Sequence, residues 1–144
     1  MNFKEIMLTV IDFFSELDEN CTTETLRVAA SNTSFLKYVR HAYLPEFKLQ
    51  LSAGVPEYEP KRVEHGMQTM SVMWNAANTF ATLCNLSYPL RSRDKAFVAT
   101  LNMVSEQDAI FLLGVKDQTL EYMYPNITLE KILKSGILGT TDAV

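Results

Sequence analysis

The chain has 144 residues, with 13 basic and 17 acidic side chains, a formal net charge of −4 and 47% apolar residues. A chain of this length forms one domain that buries roughly 70% of its unfolded surface, so it needs neither a metal nor a disulfide to fold. The net charge is too small for a disordered acidic chain, and no run of about 20 apolar residues that would span a membrane occurs.

Three helices are predicted in the first third of the chain. Apolar residues at steps of three and four indicate an amphipathic helix over 3–17. A short helix over 23–30 follows. The next is predicted over 34–43, where Asn32 or Thr33 can cap its N-terminus.

From 44 to 62 the helical pattern stops. Four residues in this stretch break helices: Pro45, Gly54, Pro56 and Pro60. A loop of this length is unusual in a compact domain unless it is functional or packed on the surface. We expect Phe47 and Tyr58 to anchor it.

A long helix is predicted over 63–86, and no charged residue occurs between positions 66 and 90. A helix that is apolar nearly all round is usually buried. We therefore expect this helix to be the central helix of the core.

Three further helices are predicted over 91–104, 106–115 and 129–134. Cap residues stand at their ends: Ser105, Thr128 and Gly136. The sequence therefore predicts an all-α fold, a single compact domain over 1–138 with about six or seven helices around the long central helix. It also predicts one long proline-rich loop and a flexible tail over 139–144.

No catalytic constellation is visible in the sequence. Cys21 and Cys84 lie too far apart to form a CxxC pair, and neither His41 nor His65 has a histidine or cysteine at metal-ligand spacing. No glycine-rich phosphate loop occurs. We expect no enzymatic activity, no metal and no cofactor. Acidic residues interrupt the first segment, which is unlike a secretory signal, so we expect a cytoplasmic protein.

Charge is distributed unevenly along the chain. The net charge is −4 over residues 1–60, +3 over 61–104 and −3 over 105–144. A nucleic-acid-binding protein usually shows one continuous basic stripe and a high isoelectric point. Contact with phosphate through Arg91, Arg93 and Lys95 at a helix N-terminus remains open.

Four segments in order along the chain carry a family resemblance: 36–45, 55–60, 105–117 and 124–138. In this series the sequence resembles a family of small proteins encoded by T-even-like tailed phages, many of which infect marine cyanobacteria. The series is also similar to the helical N-terminal DNA-binding domain of phage ATP-dependent DNA ligases. The resemblance implies an all-helical fold and a surface that once contacted duplex DNA.

Two departures from the ligase pattern bear on function. The 144 residues do not include the nucleotidyltransferase domain with its catalytic lysine, so we expect no ligase activity. After the serine-capped helix the ligase pattern places basic residues, whereas residues 116–122 here carry one base, Lys116, and two acids. Phosphate contacts supply most non-specific affinity for DNA, so this change weakens the case for DNA binding.

Two main hypotheses follow, and a third reading stays open. The first is an accessory protein that acts as an adaptor for host or phage proteins in replication, transcription or host takeover. Aromatic residues anchor interfaces, and the predicted protein-binding residues are Phe47, Tyr58, Tyr122 and Tyr124. The second is a duplex-DNA-binding accessory protein, and its candidate residues are Arg91, Arg93, Lys95, Lys116, Lys131 and Lys134. The third is a virion component.

Overall fold

The computed structural model of the protein describes residues 8–62 and 67–139. Within them the α-helices are α1 (Val10–Glu19), α2 (Thr23–Ala29), α3 (Thr33–Tyr43), α4 (Met67–Ala76), α5 (Phe80–Leu83), α6 (Leu90–Leu101), α7 (Glu106–Asp117), α8 (Leu120–Met123) and α9 (Leu129–Ser135). These residues form no β-strand, only an isolated parallel bridge between Lys61 and Ser105. The predicted all-α fold is confirmed.

The predicted and the observed helix ends agree well at the positions where the sequence has a capping residue. Asn32, Ser105 and Thr128 each accept a hydrogen bond at their side-chain oxygen from a backbone N–H three residues on. These bonds satisfy amides that the first helical turn leaves without partners. Gly136 ends α9 with a φ of 74°, in the left-handed region that glycine adopts without a steric penalty.

Parts of three predictions lie outside the described residues. They are residues 3–7 of the predicted first helix, residues 63–66 of the predicted long helix, and the predicted tail beyond Gly139. The prediction that the first helix runs through residues 8 and 9 is wrong, because Thr9 caps a helix that begins at Val10. Within the described residues, no helix is both long and apolar enough to cross a membrane.

The long helix is present as one helical path from α4 to α5. A single turn of 3₁₀-helix, Ala77–Thr79, joins the two segments without a break. Its burial is one-sided: Met73, Phe80 and Leu83 are inside the core, while positions 71, 75, 78 and 82 are exposed. Spacings of three and four place those exposed positions on one face of the helix.

A cluster of aromatic rings forms the middle of the core. The centroid of the Phe14 ring on α1 lies 5.2 Å from the ring centroid of Phe35, 5.1 Å from that of Phe111 and 5.6 Å from that of Tyr124. Tyr38 of α3 packs edge-on against Phe111 at 5.5 Å, and its hydroxyl donates a hydrogen bond to the carbonyl of Met73. Aromatic pairs in such geometries add to the stabilisation from area burial. The cluster therefore joins α1, α3, α4 and α7.

Candidate functional site

Arg93, one of the predicted DNA contacts, is turned into the protein. Its Nε donates to the carbonyl oxygen of Tyr88 at 3.0 Å, and its Nη1 donates to the carbonyl oxygen of Gln50. The residue is 8% exposed. Arg93 thus fastens the segment after α3 to the beginning of α6, and its guanidinium is occupied by the fold.

Lys116 fastens the following part of the long loop to α7. It is 4% exposed, and its Nζ donates to the carbonyl oxygen of Gly54 at 2.9 Å. On α6, Asp94 accepts from the backbone N–H of Ser52 at 2.9 Å and from its hydroxyl at 2.5 Å. Polar side chains of α6 and α7 therefore hold the long loop, in addition to the half-buried ring of Tyr58.

The two predicted lysines of α9 differ from each other. The Nζ of Lys131 donates to the carbonyl oxygens of Cys21 at 3.2 Å and Asn126 at 3.1 Å, which ties α9 to the turn before α2. Lys134 is exposed, and its Nζ lies 3.8 Å from Glu130. Lys134 is therefore the more exposed of this pair, whereas the ammonium of the half-buried Lys131 is bonded to carbonyls of the chain.

Arg91 and Lys95 are exposed, and their spacing of four places them on one face of α6. Of the six cations proposed for DNA, Arg93, Lys116 and Lys131 bond to carbonyls of the chain itself. The structure therefore leaves Arg91 and Lys95 together on α6 and Lys134 on α9. It does not bring the six together into one surface.

The four predicted protein-binding aromatics lie on different elements. Phe47 is 40% exposed in the turn after α3, and Tyr122 on α8 is 88% exposed. Tyr58 is half-buried beside an open concavity that Asn102 also lines. Tyr124 is 5% exposed, and its ring packs on Phe14 in the core. Tyr124 therefore presents little surface to a partner, whereas the interface role of the other three stays a prediction.

His41 and Cys84 lie in contact, but their geometry and burial do not favour a reactive thiol–imidazole pair. Nδ1 of His41 lies 2.8 Å from the carbonyl oxygen of Phe47, so this nitrogen carries the hydrogen. The sulfur of Cys84 lies 3.5 Å from the same nitrogen, which is therefore no base for the thiol. Burial lowers the pKa of His41 and raises the pKa of Cys84. A cysteine nucleophile needs the opposite shift of the thiol.

A buried carboxylate joins the beginnings of α4 and α7. Asp108 is 3% exposed, and its Oδ2 accepts hydrogen bonds from Thr69 at 2.5 Å and Ser105 at 3.0 Å. In residues 8–62 and 67–139, no group of three or more His, Cys, Asp or Glu side chains is placed to hold a metal ion. Asp108 thus links the two helix ends through its Oδ2.

One exposed surface was not predicted from the sequence. It lies on the α4–α5 path and the loop after it. We call the exposed residues of positions 71–90 the neutral face. They are Ser71, Asn75, Asn78, Thr79, Ala81, Thr82, Asn85, Leu86, Ser87, Tyr88, Pro89 and Leu90. None is charged, in a chain where 21% of residues are. The absence of charged residues between positions 66 and 90 was the signal for this surface in the sequence. A buried helix explains such an absence equally well.

One end of the neutral face is apolar and exposed. Leu86 is 72% exposed, while Tyr88 and Leu90 are each nearly half exposed. Phe47 belongs to the same end, because the sulfur of Cys84 lies 3.5 Å from its carbonyl oxygen. We call these four residues, Phe47, Leu86, Tyr88 and Leu90, the apolar corner. These residues come from two adjacent segments, and exposed apolar patches mark interaction sites in soluble proteins.

No protein-family model matches the chain, and comparison with curated proteins and with solved structures finds no match either. The phage and ligase resemblance therefore stays an expectation based on the four segments of the sequence.

Proposed function

We propose that the protein is a non-enzymatic phage accessory protein that acts as a protein-interaction adaptor on a scaffold of ligase-type resemblance. Its setting would be phage replication, transcription or host takeover in the host cytoplasm. The phage assignment rests on the resemblance of the four sequence segments. The adaptor role rests on the neutral face.

The observation that carries the adaptor role is the absence of charge across an exposed surface. The solvent-facing positions of a helix normally carry charged residues, which keep the protein soluble. The centres of protein interfaces are instead depleted of charge and enriched in aromatic side chains. The neutral face has the first property, with uncharged polar residues along α4 and α5, and it carries one aromatic side chain, Tyr88, at its apolar end.

Affinity capture with a matched pair of variants tests the adaptor role. Ala81→Glu introduces a carboxylate on the neutral face, and Val28→Glu introduces the same group on α2, where Val28 is also exposed. Circular dichroism first establishes that both variants fold. We expect the wild type and Val28→Glu to retain the same protein from an infected-host extract in stoichiometric amount, and Ala81→Glu to lose it. Equal recovery by all three, or no protein recovered by the wild type, would refute the proposal.

Duplex-DNA binding is the second candidate, and it is favoured by the exposed pair Arg91 and Lys95 on α6. Arg93, Lys116 and Lys131 bond to carbonyls of the chain itself, so we expect any remaining affinity to be low and strongly dependent on salt. A gel shift at low salt tests it. Retardation that Arg91→Met reduces would favour DNA, and absence of retardation would refute it. Proteomics of purified particles tests the further alternative, a virion component.

A further inference from the structure

The loop between α5 and α6 presents its apolar side chains in a fixed conformation. Asn85 Oδ1 accepts from the backbone N–H of Ser87 at 2.9 Å and from its hydroxyl at 2.6 Å. The N–H of Tyr88 donates to the carbonyl oxygen of Asn85 at 3.1 Å, and Arg93 donates to the carbonyl of Tyr88. Leu86 and Tyr88 are thus exposed from an ordered loop. A preorganised surface binds a partner with little loss of conformational entropy.

Three exposed cations neighbour residues of this apolar surface. Arg40 lies with its Cζ 5.7 Å from the centroid of the Phe47 ring, and Lys48 follows Phe47 in the chain. Arg91 follows Leu90 at the beginning of α6, and all three cations are exposed. The neighbouring acids are fewer. Helix α3 has no acidic residue and Asp94 of α6 is bonded to Ser52, whereas Glu46, which precedes Phe47, is exposed.

Backbone contacts place these groups at one end of the molecule. The sulfur of Cys84 lies 3.6 Å from the carbonyl oxygen of Lys48, and the N–H of Gln50 donates to the carbonyl oxygen of Leu83 at 3.1 Å. The guanidinium of Arg93 bonds to carbonyls on both sides, those of Tyr88 and Gln50. The segment after α3 and the loop after α5 are therefore adjacent.

We infer that the apolar corner binds an acidic segment of a partner protein. An aliphatic or aromatic side chain of that segment packs among Leu86, Tyr88 and Leu90, and its carboxylates face the cations. This inference rests on the proposed adaptor function and adds the chemistry of the partner. A positive rim around an apolar patch selects for negative charge with an apolar anchor.

The same observations weigh against other occupants of the corner. Single-stranded nucleic acid binds to a basic groove lined with aromatic platforms, whereas two of the exposed anchors here are leucines. Few cations are also exposed here, because the guanidinium of Arg93 is hydrogen-bonded within the fold. A membrane-surface helix presents a long apolar stripe, whereas the corner lies on a loop and the turn after α3. An acidic protein segment with an apolar side chain fits the exposed cations and the apolar anchors of this surface.

Selection from a random dodecapeptide display library on the folded wild-type protein tests the inference without assuming a sequence. We expect the selected peptides to be enriched in Asp and Glu relative to the library and to contain at least one Leu, Ile, Phe or Trp. Synthetic copies of these peptides, labelled with fluorescein, then give dissociation constants by anisotropy. Because exposed charges are screened by salt, affinity should fall as the salt concentration rises.

Two independent variants and their matched controls locate the binding site. Leu86→Ser removes an apolar anchor and Arg91→Glu reverses a charge at the rim, and each should weaken peptide binding about tenfold. Leu133→Ser and Lys134→Glu make the same changes at exposed positions of α9 and should bind as the wild type does. Leu86 and Arg91 both lie outside the core, so we expect each variant to fold.

Several results would overturn the inference. They are peptides without acidic enrichment, binding that the corner variants leave unchanged, and corner-dependent binding only to phosphatidylserine vesicles or to a single-stranded oligonucleotide. Self-association of the wild type that Leu86→Ser abolishes would assign the corner to a second copy. If capture depends on the neutral face but no acidic peptide binds, this inference fails while the adaptor function stands. If the wild type also captures no protein, both fail.

Discussion

Arg91 and Arg93 offer a direct comparison, because they are two residues apart on α6 and only Arg93 is buried. We expect Arg93→Met to destabilise the protein, since methionine retains the apolar stem and removes both hydrogen bonds. Each bond from a charged donor contributes about 1.5–3 kcal/mol. The accepting carbonyls belong to exposed residues that water can reach, so the free energy of unfolding should fall by about 2–4 kcal/mol.

Urea denaturation followed by circular dichroism measures this difference. For a chain of this size about 1 kcal/mol corresponds to roughly 4 °C in melting temperature, so Arg93→Met should melt about 8–16 °C below the wild type. Arg91→Met removes the same charge from the surface and should change the stability by less than about 0.5 kcal/mol. If the two variants agree within that margin, Arg93 does not fasten the loop and the assignment of its hydrogen bonds is refuted.

Three further predictions concern protons and packing. Burial lowers the pKa of His41, so the unfolded state binds more protons below about pH 6.5 and the free energy of unfolding should fall as the pH drops from there. In urea titrations at several pH values, His41→Gln should reduce the dependence of the free energy of unfolding on pH. The same dependence in the variant and the wild type would contradict this role of His41. Burial raises the pKa of Tyr124 to about 12, so stability should also fall as the pH rises above about 10, where the unfolded phenol ionises first. Tyr124→Phe should reduce that loss, and equal losses in both proteins would show that other groups cause it. A Cβ at Gly114 would lie 2.9 Å from Cδ2 of Leu120, so Gly114→Ala should cost about 1–2 kcal/mol. In the presence of Leu120→Ala the added cost should disappear, and simple additivity of the two changes would contradict a clash.

The helix ends were predicted well because a capping side chain and the amide that it binds lie close together in the sequence. The side chains of Asn32 and Thr128 cap amides three residues away, so each cap is contained in a few residues of sequence. The partners of Arg93 and Lys116 in the loop lie 43 and 62 positions away. A cation is solvated by default, and its burial depends on where tertiary packing brings a distant carbonyl. The prediction that these residues contact DNA followed from that default.

The neutral face shows a second limit of the sequence. Both a protein core and the centre of an interface exclude charge, so a charge-free run does not distinguish between them. Positions 71, 75, 78 and 82 carry small polar residues at helical spacing, which is the exposed side of an amphipathic helix without the usual charges. Only the packing of Met73 and Phe80 into the core determines which side faces solvent.

The attachment of residues 48–56 by side chains of α6 and α7 has a kinetic consequence. Its carbonyls and amides bond to Arg93, Asp94 and Lys116, and these residues are in place only once their helices have docked. The segment should therefore become ordered after the folding transition state, so substitutions at its anchors should accelerate unfolding and leave the folding rate nearly unchanged. Amide hydrogens in this segment should exchange through local opening, faster than those around Tyr38 and Phe111, which require global unfolding.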